Sequence, residues 1–256
     1  MMERIELGTR LSGGGTAAPT DRGWRLTIPP GDNKTYRLAQ LDDHFGRARG
    51  SLPWRPPVSI QLRARASARD LPGTWGFGFW NNPFGLACGP TRESRRLPAL
   101  PHSAWFFAAS PRSYLSLRDD GPGNGFFAQV YRSSRVGMWL LRAALAFPFS
   151  AAAARRMLRP RIREDAASVT VDVREWQVYQ IEWSETSTVF AVDGHAILRT
   201  RLAPHPPLGL IIWIDNQFAA FDPQGRLGWG VEASPSGSWL EIEDLTLRTG
   251  AAGREE

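Results

Sequence analysis

Paired acidic side chains are the first features of this sequence that could do chemistry, because two carboxylates on one face can act as acid and base. Glu241 and Glu243 lie two residues apart in an alternating run, and this spacing places both on one face of a strand. No third catalytic group accompanies them, so we interpret them as an exposed strand face. The other pairs, which we interpret as turn or hairpin-entry residues, are Asp119 with Asp120 and Glu182 with Glu185.

Other recognisable active-site motifs are missing from the sequence. It contains no G-x-S-x-G elbow, no H-E-x-x-H helix, no phosphate-binding loop and no G-x-G-x-x-G after a strand. The four histidines are scattered, and the single cysteine, Cys88, cannot form an intramolecular disulfide. The sequence therefore predicts no metal and no cofactor.

A second group of polar residues closes an apolar run. Trp213, Asp215 and Gln217 share one face if this run is a strand, and Asn216 lies between the last two. Polar groups at the end of a buried strand are costly unless they are hydrogen-bonded. They are either satisfied at the rim of the fold or they orient a ligand.

The elements around these residues read as β-strands. Residues 58–65 alternate between apolar and polar side chains, as a half-buried strand requires, and residues 208–214 form a wholly apolar run that is typical of a strand buried on both faces. Asp193-Gly194 between two apolar runs predicts a tight hairpin. The 25 glycines and 20 prolines also favour an all-β architecture rich in turns. Further strands are expected over 73–80, 104–108, 114–118, 126–131 and 239–247.

One segment, residues 136–163, breaks the β pattern and predicts a short inserted helical pair. Its apolar side chains are followed by a cluster of arginines. Such a segment either caps the β-structure, forms a contact with a partner, covers an apolar ligand or lies in a membrane interface. The residues expected to make a membrane or partner contact are Trp139, Leu140, Phe147, Arg155, Arg156 and Arg159.

Four motifs in order carry a family resemblance. Residues 176–183 (WQVYQIEW) and 190–194 (FAVDG) resemble the F-H-x-Y-x-I-x-W and F-x-V-D-G runs of the family-16 glycoside hydrolases, within the concanavalin A-like lectin/glucanase superfamily. Residues 73–80, 207–213 and 239–247 resemble other strands of that family in the same order. The resemblance implies a jelly-roll β-sandwich of two antiparallel sheets, with a polysaccharide bound on the concave sheet.

The resemblance fails where the catalytic carboxylates should be. The family strand reads E-x-D-x-x-E, whereas residues 102–110 (HSAWFFAAS) contain no carboxylate. Family-type catalysis is therefore not expected, and Trp105 stands in this strand as a candidate for the groove. We expect a ligand to be held by stacking and by polar contacts. The expected lining residues are Trp75, Trp105, Trp213, Asp215, Asn216 and Gln217.

Composition sets the remaining expectations. The chain has 256 residues, of which 42 % are hydrophobic, and carries a net charge of +6 that is mostly dispersed, so we expect no nucleic-acid partner. We expect a flexible leader over 1–20, one jelly roll over 21–250 and a flexible tail over 251–256. The first residues contain no apolar signal segment and there is no spanning run, which favours a cytoplasmic location.

Three functions are consistent with these observations. The leading hypothesis is a non-catalytic module that binds a glycan or an amphipathic ligand on the concave sheet. The second is a divergent glycoside hydrolase with relocated carboxylates, for which Asp119 and Asp215 are the residues to test. The third is a peripheral membrane or partner-binding protein that acts through the 136–163 segment.

Overall fold

The fold is a sandwich of two antiparallel β-sheets. A computed structural model describes residues 5–83, 99–134, 151–224 and 227–250. Within these ranges, sheet 1 has the strand order β1-β4-β13-β6-β7-β8-β9, sheet 2 has the order β12-β11-β10-β5-β16-β3-β2, and β14 and β15 form a separate hairpin. The strands are β1 (Gly8–Ser12), β2 (Thr16–Pro19), β3 (Gly23–Ile28), β4 (Leu38–Asp42), β5 (Val58–Ala66), β6 (Thr74–Trp80), β7 (Ser103–Ala109), β8 (Gly125–Ser133), β9 (Ile162–Ser168), β10 (Gln177–Trp183), β11 (Thr188–Val192), β12 (His195–Thr200), β13 (Gly209–Asp215), β14 (Gln217–Phe221), β15 (Leu227–Val231) and β16 (Ser238–Thr249); helix α1 spans Ala151–Leu158, and a short 3₁₀ turn spans Arg49–Ser51.

The sequence patterns explain the best-defined strands. β5 alternates as predicted, with its apolar side chains buried between the sheets and its polar ones on the outside of sheet 2. β13 is buried on both faces, as its apolar run predicts, and lies inside sheet 1 between β4 and β6. Asp193 and Gly194 both have positive φ and join β11 to β12, which confirms the predicted hairpin.

The main core fills the space between the sheets. Phe77 and Phe79 from sheet 1 contact Tyr179 and Trp183 from sheet 2, with ring centroids 5.1 and 5.6 Å apart, respectively. Every one of these side chains is almost fully buried. The all-β jelly-roll prediction is therefore confirmed, and the two sheets are held together by aromatic contacts as well as by aliphatic packing.

The structure departs from the sequence expectations at three places. Residues 8–19, expected in a flexible leader, form β1 at the edge of sheet 1 and β2 at the edge of sheet 2. Residues 114–118, expected as a strand, make only a single bridge, between Tyr114 and Ala220. The helical prediction is wrong after Leu158, because β9 begins at Ile162, whereas residues 136–150 lie outside the described ranges.

Candidate functional site

The pairing of strands brings several of the predicted residues to the outer face of sheet 1, which points away from the core. Trp213 on β13 lies opposite Gln40 on β4 and Gly76 on β6. Trp105 on β7 lies opposite Gly78 on β6 and Gln129 on β8. The outer face therefore carries an aromatic row with amide side chains on either side of it.

The aromatic row forms a continuous floor. The Trp105 and Trp213 ring centroids are 5.6 Å apart, and Phe107 lies 5.0 Å from Trp105 and 5.2 Å from Trp213. A Cβ atom at position 76 would lie 2.8 Å from the Trp213 indole, so glycine is what allows the indole to lie flat on β6. The spaced glycines of the GTWGFGFW strand thus make room for the tryptophans of neighbouring strands.

This floor is buried rather than open. Trp105 is 6 % exposed and Trp213 is 5 % exposed, and both belong to a second hydrophobic cluster on the outer face. Leu117 and the half-buried Leu158 and Phe221 pack into the same cluster. Trp105 and Trp213, which the sequence predicts to line a binding groove, are instead covered in part by side chains from α1, β14 and the loop before β8.

Two other predicted lining residues have purely internal roles. Trp75 faces the main core, where it stacks on Phe126 with a centroid distance of 4.8 Å, so the prediction that it lines the groove is wrong. Asn216 is fully buried. Its side-chain oxygen accepts a bond from the Arg37 backbone at 2.8 Å, and its amide group donates to the carbonyls of Thr35 and Glu232. It joins three chain segments and has no exposed surface for a ligand.

Asp215 lies at the end of β13, where its carboxylate is enclosed by hydrogen-bond donors. One carboxylate oxygen accepts bonds from the backbone and hydroxyl of Thr74, at 3.2 and 2.8 Å, and from the Gln217 backbone at 3.1 Å. The other accepts a bond from the Tyr36 hydroxyl at 3.2 Å. Burial raises the pKa of Asp215 to about 6, although these bonds partly oppose the shift. The sequence left two roles open for this polar group, internal hydrogen bonding or contact with a ligand. The geometry favours internal hydrogen bonding.

A second polar group lies at the opposite end of β13. The Gln40 amide donates to Asp42 at 2.6 Å, and the other oxygen of Asp42 accepts the His44 backbone N–H at 3.1 Å. The Trp80 indole N–H donates to Nε2 of His44 at 3.2 Å. This bond holds His44 in the tautomer that carries its proton on Nδ1, facing the Leu210 carbonyl at 3.3 Å.

The neighbouring Asp43 carboxylate is enclosed by different partners. It accepts bonds from the Trp54 indole and, at 2.9 Å, from the Leu210 backbone. Burial raises the pKa of Asp43 to about 6, more than these bonds lower it. Asp43 therefore holds the loop after β4 against β13.

Another buried carboxylate, Glu164 on β9, anchors the far side of the floor. It accepts bonds from the Gln129 amide at 2.9 Å and from the Leu117 backbone at 2.7 Å. Gln129 in turn accepts the Trp105 indole N–H at 3.1 Å. Burial raises the pKa of Glu164. The network ties β7, β8 and β9 to the loop that covers them.

The three carboxyl groups with raised pKa values are too far apart to share one reaction. Asp43 binds Leu210, and Asp215 lies five residues further along β13, which corresponds to roughly 17 Å. Glu164 is separated from β13 by four strand spacings, roughly 19 Å. Paired glycosidase carboxyls lie about 5–10 Å apart. No two of these three groups therefore make a hydrolytic pair.

The accessible part of the outer face is a rim that the sequence patterns did not reveal. Arg10 on β1 lies opposite Gln40, and its guanidinium is 5.4 Å from the ring of Phe45, which is 59 % exposed. Trp80 and Tyr36 are half-buried and contact the floor, Trp80 at 6.1 Å from Trp105. We call Arg10, Tyr36, Phe45 and Trp80 the rim. The sequence predicts a flexible leader over residues 1–20. It therefore does not anticipate that Arg10 pairs with β4 as part of β1 and belongs to the rim.

One more accessible indole escaped the sequence patterns. Trp229 on β15 is 69 % exposed and lies opposite the small side chain of Ala219 on β14. The β14–β15 hairpin begins just after Asp215, and Phe221 at its other end packs on the floor. No local sequence pattern marks this indole, because its exposure depends on what the hairpin packs against.

The residues predicted to make a membrane or partner contact differ in their burial and in their partners. Arg155 is 5 % exposed and donates to the Ser116 and Phe221 carbonyls at 2.8 and 2.6 Å, so its predicted surface role is wrong. Arg159 is exposed but forms an ion pair with Asp119 at 2.7 Å, and Arg156 is exposed. Trp139, Leu140 and Phe147 lie outside the described residues.

The described residues contain neither a metal-binding cluster nor a membrane-spanning helix. No group of three or more His, Cys, Asp or Glu side chains among them is arranged to hold a metal ion. No helix in the same part of the chain is long and apolar enough to cross a membrane.

Comparison with known proteins defines the class of fold. No protein-family model and no curated protein matches the sequence. A legume lectin-like domain from Entamoeba histolytica superposes with a TM-score of 0.51 and 12 % identity, covering 96 % of this chain and 90 % of that one. The Crh5 transglycosylase gives 0.48 and 8 %, covering 94 % and 78 %, and the Emp46p carbohydrate recognition domain gives 0.45 and 12 %, covering 96 % and 88 %. The chain therefore shares the two-sheet sandwich fold of that lectin-like domain, and the resemblance found in its motifs is confirmed for the fold alone.

Proposed function

We propose that this protein is a non-catalytic jelly roll that binds a glycan along the rim of sheet 1. One observation carries the proposal: half-exposed aromatic and polar side chains border a rigid, buried aromatic floor on the outer face of a lectin-like sandwich. Trp80 and Phe45 offer aromatic rings, while the guanidinium of Arg10, close to the Phe45 ring, offers hydrogen-bond donors.

The chemistry of a sugar matches this combination. A pyranose ring has an apolar face that packs on an aromatic ring and hydroxyl groups that need directional donors and acceptors. The guanidinium of Arg10 and the amide of Gln40 are neighbours across β1 and β4. Gln40 is buried and bonded to Asp42, so it supports the strand beside Arg10 and leaves the contact with a hydroxyl group to Arg10.

The same geometry supports binding without turnover. The outward positions of β7, where the resembling hydrolases carry their carboxylates, are Ser103, Trp105, Phe107 and Ala109. Asp119, one of the two carboxylates considered for a relocated site, is committed to Arg155 and Arg159, and these arginines lower its pKa. Asp215, the other, is enclosed by four hydrogen bonds.

The test is a glycan-array screen of neutral and acidic oligosaccharides, followed by calorimetric titration of any glycan that binds. We expect Phe45→Ala and Trp80→Ala each to weaken that binding by about tenfold, the loss of roughly one stacking contact. Phe45 is exposed, so its replacement tests the site without disturbing the fold.

The matched control is Trp239→Ala, which removes an indole from the outer face of the opposite sheet, where Arg25 stacks on it at 4.4 Å. Its glycan affinity should equal that of the unaltered protein. A blank array, or equal binding by the Phe45, Trp80 and Trp239 variants, would overturn the proposal.

A further inference from the structure

Two neighbouring cavities lie on the flank of the sandwich, where the edge strands of sheets 1 and 2 approach each other. The first has a volume of about 310 Å³ and the second about 350 Å³. The first is lined by Arg55, Pro56, Arg132, Glu185, Pro204, His205 and Pro206. The second is lined by Arg118, Arg163, Glu164, Asp165, Thr200, Arg201 and Leu202.

The two cavities belong to one surface. The chain from Thr200 to Pro206 lines the second cavity with its first residues and the first cavity with its last. Arg132 on β8 lies directly opposite Arg163 on β9, and each lines a different cavity. We call this surface, from Arg55 to Arg201, the flank seam.

The seam is lined by five arginines and three carboxylates, so its described lining carries a net charge of +2. Arg55, Arg132, Arg163 and Arg201 form no ion pair, side-chain hydrogen bond or ring contact with any residue in the described ranges. Two like charges directly opposite each other across a strand pair destabilise a sheet. Acidic groups bound beside Arg132 and beside Arg163 would offset that repulsion.

Two of the three carboxylates of the seam are engaged with other partners. Glu164 directs its carboxylate to Gln129 and the Leu117 backbone on the outer face of sheet 1. Asp165 lies 3.7 Å from Arg118, which also pairs with Asp120 at 2.7 Å. Glu185 is the remaining carboxylate in the lining, beside Arg55 and Arg132.

We propose that the flank seam binds a segment of an anionic polysaccharide, with one acidic group in each cavity. The inference rests on the proposed glycan-binding function but concerns a surface separate from the rim. Guanidinium groups pair with carboxylates and sulfates through two parallel hydrogen bonds. Neither cavity has a Trp, Tyr or Phe among its described lining residues. Single-stranded nucleic acid, which needs such rings for base stacking, therefore fits the seam less well.

The experiment is a titration of the full chain with polygalacturonate oligomers at low and high salt. We expect Arg132→Gln with Arg163→Gln to weaken binding at least tenfold at low salt and to reduce the salt dependence. The control is Arg69→Gln with Arg248→Gln, which removes the same charge from two exposed arginines that line neither cavity. If the first variant unfolds, Arg55→Gln with Arg201→Gln tests the same seam through exposed side chains.

Further ligands separate the outcomes. Binding of a sulfated but not a carboxylated polymer, lost in the seam variants, supports the site and assigns it to sulfate. Equal losses in seam and control variants, preference for a single-stranded oligonucleotide, or absence of binding to every anionic polymer overturns the inference. Trp80→Ala should leave polygalacturonate binding unchanged, whereas the seam variants should leave a neutral glycan unaffected, so failure of one site is distinguishable from failure of the other.

Discussion

Asp215 illustrates how a single residue type can be placed correctly and its role left open. The alternating pattern placed it beside Trp213 on one strand face, and the structure agrees. Its role, contact with a ligand or internal hydrogen bonding, depends on Tyr36 and Thr74, which are more than a hundred residues away in sequence. Contacts of this range leave no trace in a local pattern.

The titration of Asp215 gives a prediction at this scale. Its pKa is raised from 3.8 to about 6, so between these values the folded protein holds a proton that the unfolded chain releases. Lowering the pH from 7 towards 4 therefore stabilises the fold through this group. We expect the unaltered protein to gain on the order of 2 kcal/mol relative to Asp215→Asn over this range, measured by urea unfolding at several pH values.

The comparison isolates Asp215 because Asp43, whose pKa is also raised to about 6, is present in both proteins. Asp120→Asn is the control. Arg118 lowers the pKa of Asp120 to about 2, so this substitution should not alter the pH profile between 5 and 7. Parallel profiles for the unaltered protein and Asp215→Asn would contradict the prediction.

Tryptophan positions show the same boundary of sequence reasoning. The GTWGFGFW strand predicted which side chains share a face, but not which face is the core. Trp75 was assigned to the groove and lies in the core, whereas Trp80, on the other face, reaches the rim. A period of two predicts which side chains share a face, whereas packing against the opposite sheet determines which of the two faces is buried.

At the scale of elements, helix α1 is attached to the sandwich by an arginine rather than by apolar packing alone. Arg155 bridges the loop carbonyl of Ser116, the β14 carbonyl of Phe221 and, at 3.2 Å, the carboxylate of Asp119. Sequence composition predicted this helix correctly and read its arginines as a surface cluster. The error arose because helical spacing gives the face of a side chain but not what that face meets.

Replacing Arg155 tests the attachment. Arg155→Gln leaves buried carbonyl groups without a charged donor, so we expect the free energy of unfolding to fall by about 2–3 kcal/mol. Arg156→Gln, one residue along the same helix and exposed, should change it by less than about 0.5 kcal/mol. Chemical denaturation followed by tryptophan fluorescence measures both, and equal effects would show that α1 is held by other contacts.

Strands and turns were the most predictable elements. The apolar run of β13, the alternation of β5 and the Asp193-Gly194 turn each carry their own local signal. β1 and β2 carry none: they are short and rich in Gly, Thr and Ala, and their burial is shallow. They exist as strands because β4 and β3 offer free edges to pair with.

At the scale of the whole molecule, this entry segment spans both layers of the sandwich. β1 adds to sheet 1, β2 adds to sheet 2, and a short Gly-rich turn joins them. Leu7, just before β1, is half-buried against the main core. The segment therefore contributes to the cohesion of the two sheets.

Point substitutions measure that contribution. Leu7→Ala removes a partly buried side chain, and we expect the free energy of unfolding to fall by about 1–2 kcal/mol. Leu11→Ala, in the same segment but with a side chain that is 49 % exposed, should change it by less than about 0.5 kcal/mol. A flat response to both substitutions would restore the view of this segment as a loosely attached leader.

The position of β16 has a consequence for synthesis on the ribosome. β16, the last strand in the described ranges, is inserted between β5 and β3 in sheet 2, just as β13 is inserted between β4 and β6 in sheet 1. Until residue 249 has emerged, both β3 and β5 present an unpaired edge towards a gap. Before β16 emerges, the nascent chain therefore carries a split sheet 2 with unpaired strand edges, and chaperones that shield strand edges matter most in that interval.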